Sequence, residues 1–561
     1  MVNRAVVVGA AERTLPAWWR EVRNAHGARD LVRKNGVGTS FDEMDRRSAA
    51  IARGLLAEGV GKGARIGLLM ANGPDWVASW LAIGRIGGVA VALSTFFSAK
   101  ELAYGLQHAD VAVLLTAETY LGHDYCARLE EALPDLAESR WEDPLALASC
   151  PYLRGVWVAG APRRWAKGSL GELEARGQAS SAYSAAFLDR VEDAVSSADL
   201  AIMIYTSGST AEPKGVMHTQ GTVVSKTTFL GQVSTIMPFG TDAASRPLIN
   251  APFFWVGGFL SLTAGMALGS TIVCQDARSP AATLAAIRAE KITHISGPEA
   301  GLRAVKADPE YQPGDLDGLA PHNIMQRPFF NTDPSVTADR FPNSLGMTET
   351  FGPHSGEVGA QVLPLELAGS FGHALPGMEF KIVVPETNER VQPGEPGELC
   401  VRGEWLMDGF YKRDRRQVFD ADGFYHTGDR CTLDAEGFLH FRGRIGGMIK
   451  TSGANVSPEE VEIAIKAQDG VLDAAVFARP DAKMGEIVVA VVALKPGVQL
   501  GEATLKAALK RDLSSFKVPK RILFMDFADL PRTPSNKIRK PALAELVADR
   551  LIQSGAAGDK G

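Results

Sequence analysis

Short apolar runs alternate with amphipathic segments through the first half of the chain. ARIGLLMA (64–71) is followed by the turn Asn72-Gly73-Pro74 and by DWVASWLAIGRIG, whose apolar residues recur at helical spacing. VAVAL, a helix-start signal at Ser98 and DVAVLLTAE continue the alternation, and a second round appears in ADLAIMIYTSGST, STIVCQ, AATLAAIRAEKI and THISG. Strand-helix alternation of this kind predicts a mostly parallel sheet covered by helices. Beyond about Leu367 the texture changes to short strands and Gly/Pro turns, in GMEFKIVV, VQPGEPGE, GELCVRG, DGFYHTGD and AEGFLHFRGR, which predicts a compact β-rich subdomain. After Arg444 a smaller unit begins with its own strands (DAAVFARP, EIVVAVVAL, RILFMDF) and a helix from about Glu502 to Leu513. Ser457 is placed to cap a helix, Pro458 suits its first position, and Glu460 completes a Ser-x-x-Glu capping box. The expected fold class is α/β. A multi-subdomain N-terminal domain spans 1–444, and a small α+β domain spans 445–561.

Composition narrows the function classes. The 561 residues are 45% hydrophobic and 22% charged, enough to bury a large core, and the net charge of −6 offers no concentrated basic surface for nucleic acid. Cys126, Cys150, Cys274, Cys400 and Cys431 are scattered without a Cys-x-x-Cys pair, so they read as free thiols of a cytoplasmic protein. No segment sustains the apolar length of a transmembrane span.

The richest stretch for chemistry is YTSGSTAEPKGVMH (205–218). Its hydroxyls and backbone N–H groups can surround phosphate oxygens, its glycines allow close approach, and Lys214 adds a full charge. It is not a Walker A loop, because Pro213 precedes the lysine and Gly215 follows it. Taken alone it reads equally as an ordinary Ser/Gly turn.

Other segments decide between these. YTSGSTAEPKGV closely resembles the phosphate-binding signature of the adenylate-forming superfamily of acyl-CoA synthetases, luciferases and nonribosomal adenylation domains. LGMTET (345–350), GELCVRG (397–403), YHTGD (425–429), FRGRIGGMIKTSGANVSPEEVE (441–462) and LPRTPSNKIRK (530–540) resemble its later motifs in the same order. The likeness spans nearly the whole chain. It implies ATP, Mg²⁺ and coenzyme A as cofactors and substrates, and a small-molecule carboxylic acid as the partner to be activated.

The resemblance also implies roles. Thr206, Ser207, Gly208, Ser209, Thr210 and Lys214 would hold the β- and γ-phosphates. Leu345, Gly346, Met347 and Thr348 would line the nucleotide site, with Thr348 at the α-phosphate, Glu349 on the Mg²⁺, Asp429 on the ribose hydroxyls and Arg444 nearby. Lys537 would stabilise the carboxylate and α-phosphate during adenylation. The small domain would then swing so that Lys450, Ser452 and Gly453 face the site while a thiol attacks the acyl-adenylate.

Several positions depart from the family pattern. Gly446 and Gly447 stand where two aspartates are usual at the hinge, Leu345 replaces an aromatic residue that packs on adenine, and the family's Gly-Gly-Ala-Pro segment is not recognisable in 318–344. APFFWVGGF (251–259) resembles the acyl-pocket motif, with Trp255 where histidine is common; Phe254, Trp255, Gly258 and Phe259 then line the substrate pocket. Trp255 walls an acyl chain or packs in the core. No acidic residue in SLTAGMALG is placed to anchor an amino-acid ammonium group. The expected activity is an acid–CoA ligase for a hydrophobic fatty, alicyclic or steroid-like acid. The alternatives are an aryl-acid ligase, an adenylating enzyme that serves a carrier protein, and an inactive nucleotide-binding homologue. A homodimer is compatible with the sequence, which does not specify the oligomeric state.

Overall fold

A computed structural model of the chain describes residues 13–143, 145–206, 213–236, 241–277, 279–297, 299–321, 326–330, 336–341, 343–358, 362–445, 447–481, 483–532 and 538–548. The chain divides into two compact units. One comprises Met1–Thr95, Gly105–Tyr205 and Gly215–Gly443, and the other Phe96–Tyr104, Thr206–Lys214 and Arg444–Gly561.

The larger unit is built on an eight-stranded sheet in which Leu200–Thr206, Val89–Ala92, Arg65–Leu69, Val113–Ala117 and Gly155–Ala159 follow one another in that spatial order. Neighbours among these five run parallel. They read as apolar runs because both faces are covered: Ile66, Leu68, Ala90, Leu114 and Ile202 are all buried. At one edge the strand Lys214–Thr219 pairs antiparallel with Gly409–Phe410. The helix Pro74–Arg85, predicted from the 64–86 pattern, buries Trp76 and Trp80. A five-stranded sheet contains Asp30–Lys34, which pairs parallel with Ile272–Cys274 and antiparallel with Val37–Ser40.

The expected β-rich region is a four-stranded sheet of Met378–Val383, Gly397–Gly403, Tyr425–Leu433 and Leu439–Arg444. Its core joins Leu399, Val401 and Leu439 to Phe229 and Trp405. Gly397–Gly403 and Tyr425–Leu433 are antiparallel with a register shift between Glu398 and Cys400. That irregularity lies opposite Thr427-Gly428-Asp429.

In the smaller unit, period-two alternation along Gly485–Leu494 serves two faces. Val488, Ala490 and Val492 pack with Val461, Ile465, Leu505 and Leu509 of the helices Pro458–Lys466 and Glu502–Asp512. Val489, Val491 and Ala493 pack with Leu530 and Leu543 on the other face. Ser457 does cap its helix, accepting from Glu460 N–H at 3.4 Å, and Pro458 takes the first position. The capping box is not completed: the Glu460 carboxylate meets Lys517 Nζ at 2.7 Å, a long-range ion pair that outcompetes a local backbone bond. Ser98, also in this unit, accepts from Glu101 N–H at 3.2 Å, while Glu101 Oε2 accepts from Ser98 N–H at 2.9 Å, a reciprocal cap at the start of Ala99–His108.

All five cysteines are free and buried. No helix among the described residues is long and apolar enough to cross a membrane.

Candidate active site

Ser207, Gly208, Ser209 and Thr210 lie outside the described residues, as do Lys537 and Gly446. Thr206 ends the strand Leu200–Thr206, and Lys214 begins Lys214–Thr219; both are half-buried. The burial pattern of the second strand turns Val216 and His218 inward.

His218 is fully buried, and its Nε2 lies 2.8 Å from the carbonyl oxygen of Thr348. That oxygen also accepts Phe351 N–H at 3.0 Å, closing the turn Thr348–Thr350. Thr348 and Glu349 are half-buried at this turn. The carbonyl of Glu349 accepts Met407 N–H at 2.7 Å, and Asp408 N–H donates to Met217 O at 2.9 Å, so the segment 407–408 bridges the turn and the strand that carries His218. The preceding residues explain themselves sterically. Gly346 belongs to a two-residue strand paired with Gly352–Pro353, and a Cβ there would lie 2.6 Å from the Gly352 carbonyl. Leu345 is buried in the cluster with Phe229, Leu375 and Leu399.

Burial drives His218 down to a pKa of about 4, against the effect of its bond to Thr348, so the imidazole is neutral at physiological pH. Since a carbonyl only accepts, Nε2 must carry the hydrogen. On the same side, Lys226 of the helix Gln220–Ile236 donates to the Pro353 carbonyl and lies 3.6 Å from the centre of the Trp405 ring. Burial holds the Lys226 amine well below its ordinary range. His354 is fully buried beside it, and burial, with the nearby Lys226 charge, pushes its pKa to about 3.

Asp429 is 3% exposed at the centre of the irregular strand pair. Its N–H donates to Thr427 Oγ1 at 3.0 Å, and the Thr427 hydroxyl donates to Leu399 O at 2.8 Å. Gly428 adopts a left-handed φ of 71° and donates its N–H to Glu398 Oε1 at 3.0 Å. Glu398 Oε2 lies 2.8 Å from His426 Nδ1, and Cys400 Sγ lies 3.5 Å from the same nitrogen. Glu398 thus links the Gly428 N–H to His426, and burial pushes the neighbouring Cys400 thiol up to about 12. Glu398 lies inside GELCVRG, and nothing in the local spacing marks it as the partner of Gly428.

Around the expected acyl pocket, Trp255 is half-buried at the N-cap of Val256–Leu268, its ring edge-on to Phe254 at 5.8 Å. A Cβ on Gly258 would fall 2.1 Å from Pro252 O, so only glycine lets the first helical turn rest on that backbone. Phe259 is fully buried, edge-on to Trp80 at 4.9 Å and 5.8 Å from Phe351. In the smaller unit, Lys450 lies in Ile449–Thr451, which pairs with Ala454–Val456, and Ser452 and Gly453 form the intervening turn with φ of 49° and 82°. Arg444 ends Leu439–Arg444, and Gly447 adopts φ 74° with open space around its α-carbon.

Residues 18–411 match the AMP-binding enzyme family and 460–537 match the AMP-binding enzyme C-terminal domain. YngI of Bacillus subtilis (strain 168), named provisionally as an acyl-CoA synthetase, is 30% identical over 538 residues, covering 94% of this chain and 95% of its own. A feruloyl-CoA synthase of Amycolatopsis sp is 30% identical, with 91% and 94% covered. The amide bond synthetase McbA of Marinactinospora thermotolerans has the same fold, with a TM-score of 0.74 at 23% identity over 94% of this chain and 98% of that one. The chain belongs to the AMP-binding enzyme family. Relatives within it include proteins named as acyl-CoA synthetases and ligases.

Proposed function

We propose that the protein activates a hydrophobic carboxylic acid in two steps. A carboxylate oxygen of the acid attacks the α-phosphorus of ATP and pyrophosphate leaves, giving an acyl-adenylate. The sulfur of CoA then attacks the acyl carbon, AMP leaves, and the thiol proton passes to solvent. The observation that carries this reading is the turn at Thr348 and Glu349, which offers a hydroxyl and a carboxylate while both its carbonyls are engaged. Charge developing at the α-phosphate needs donors that are already oriented, and a turn pinned in this way provides them.

In this reading Thr206–Thr210 and Lys214 bind the terminal phosphates, Thr348 meets the α-phosphate, and Asp429 and Arg444 bind the ribose. Leu345, Gly346 and Met347 line the base. The oxygen chemistry of Glu349 suits Mg²⁺, which takes one or two carboxylates together with phosphate oxygens and would neutralise charge on the leaving pyrophosphate. Residues 1–444 act as the ATP- and acid-binding domain and 445–561 as the mobile one. Lys537 serves adenylation, and Lys450, Ser452 and Gly453 serve the thiol step.

Support for a hydrophobic acid comes from the apolar setting of Phe254, Trp255 and Gly258. A second reading, an aryl acid, draws on the name of the feruloyl-CoA synthase relative. The test is AMP and pyrophosphate production across fatty, alicyclic, steroid-side-chain and aryl acids, each with and without CoA. CoA-dependent AMP turnover with a hydrophobic aliphatic or alicyclic acid is expected. Turnover confined to aryl acids would select the second reading, and pyrophosphate release without CoA dependence would indicate another acceptor.

A further inference from the structure

His218 closes the phosphate-loop segment without an expected role of its own. The strand Lys214–Thr219, which follows that loop in the chain, brings it to the turn Thr348–Thr350, where its Nε2 meets the Thr348 carbonyl at 2.8 Å. The turn it grips is over-determined. Phe351 sits in the left-handed region at φ 48°, a conformation that bulky side chains avoid, and it is fully buried there. Its ring is held between His218 at 4.5 Å and Phe259 at 5.8 Å. Thr350 Oγ1 donates to Gly352 O at 2.8 Å, Met407 N–H holds the Glu349 carbonyl, and Lys226 holds the carbonyl of Pro353. Both basic side chains come from the continuous segment Lys214–Ile236; His218 holds the first carbonyl of the turn and Lys226 the Pro353 carbonyl just beyond its end.

We propose that His218 is a positioning residue for adenylation: its Nε2–H fixes the Thr348 carbonyl and thereby aims the Thr348 hydroxyl and the Glu349 carboxylate. This rests on the functional reading above, because the direction of those two side chains matters only if they meet the nucleotide. Neutrality of the imidazole fits the role, since a buried neutral donor satisfies a carbonyl without bringing a second cation beside the nucleotide site. The nearby ionisable groups have other partners: Lys226 donates to the Pro353 carbonyl, and the Glu404 carboxylate accepts from the Ser225 hydroxyl.

His218→Phe keeps the ring that packs on Phe351 and removes the donor; His218→Gln keeps an amide N–H at similar reach. In the full chain, the Phe variant is expected to lose on the order of 100-fold in the adenylation kcat while KM for the acid stays within about threefold, because misplacement of the order of 1 Å is enough for such a loss. Thioester formation from synthetic acyl-adenylate should be unchanged, and the Gln variant should recover at least about tenfold of the adenylation loss. Amide hydrogen exchange over 345–355 should accelerate in the Phe variant and be restored in the Gln variant. Unaltered exchange there, or equal losses in both half-reactions tracking a lower melting temperature, would overturn the assignment. Absence of acid-dependent pyrophosphate release from the unmodified protein would instead overturn the functional reading, while the exchange measurement still reports whether His218 holds the turn.

Discussion

Asn72 reaches the backbone of Phe253, accepting its N–H on Oδ1 at 2.9 Å, while Nδ2 donates to the carbonyls of Ala251 at 2.8 Å and Ile249 at 3.2 Å. One buried amide therefore holds the segment that leads into the helix carrying Gly258 and Phe259. Asn72→Ala leaves three backbone groups without that partner. A loss of roughly 2–4 kcal/mol is expected from the cost of unsatisfied buried groups, read as a lower midpoint in thermal or denaturant unfolding. An unchanged midpoint would show that the 249–253 segment is held by something else.

Gly258 and Trp255 separate packing from specificity. Gly258→Ala places a methyl against Pro252 O, and a cost of about 1–3 kcal/mol is expected for such overpacking. Trp255→Ala acts differently: the side chain is only half-buried, so the chain-length preference of acid-dependent turnover should move toward larger acids. If the preference holds while the melting temperature falls, Trp255 is a packing residue only.

His354 predicts an acid limb in the stability profile. Its pKa is about 3 in the fold against an ordinary 6.5, so between those values the unfolded chain binds the extra proton. Stability is fully present above pH 6.5 and falls toward pH 3, by an amount on the order of 4–5 kcal/mol at 1.36 kcal/mol per unit. Neither ring nitrogen has a hydrogen-bond partner among the described residues, so His354→Leu should cost little at pH 7 and flatten the limb. Urea titrations at pH 4.5 and 7.5 check this: an undiminished difference between them would assign the acid sensitivity to other groups.

The role proposed for Lys537 would divide the two half-reactions. Lys537→Ala should abolish acid-dependent pyrophosphate release and spare thioester formation from synthetic acyl-adenylate. Equal loss of both would contradict a role confined to adenylation. Gly446→Asp should alter the second half-reaction more than the first, and identical kinetics in both would make the glycine pair neutral.

What was legible in the chain was what local spacing encodes. The parallel strands at 65–69, 89–92 and 113–117 announced themselves as apolar runs, and Ser98 and Ser457 marked helix starts that the fold uses. Pairings across sequence distance left no such mark. Glu460 looked like half of a capping box because its spacing from Ser457 is right, yet Lys517 lies 57 positions on and takes its carboxylate. Glu398 meets Gly428 across 30 positions, and His218 meets Thr348 across 130. A signal for His218 did exist: an imidazole at an inward position of a buried strand has to satisfy a ring nitrogen somewhere.

The five cysteines have a practical consequence. Burial pushes their thiols up to about 11 at Cys126 and Cys150 and to about 12 at Cys274, Cys400 and Cys431, so all are protonated and shielded at neutral pH. The native chain is a quiet background for maleimide chemistry. A cysteine introduced at one exposed position before 444 and another after it will take fluorophores without first stripping the native thiols. Energy transfer between the two dyes would then test whether the small domain moves during turnover as proposed.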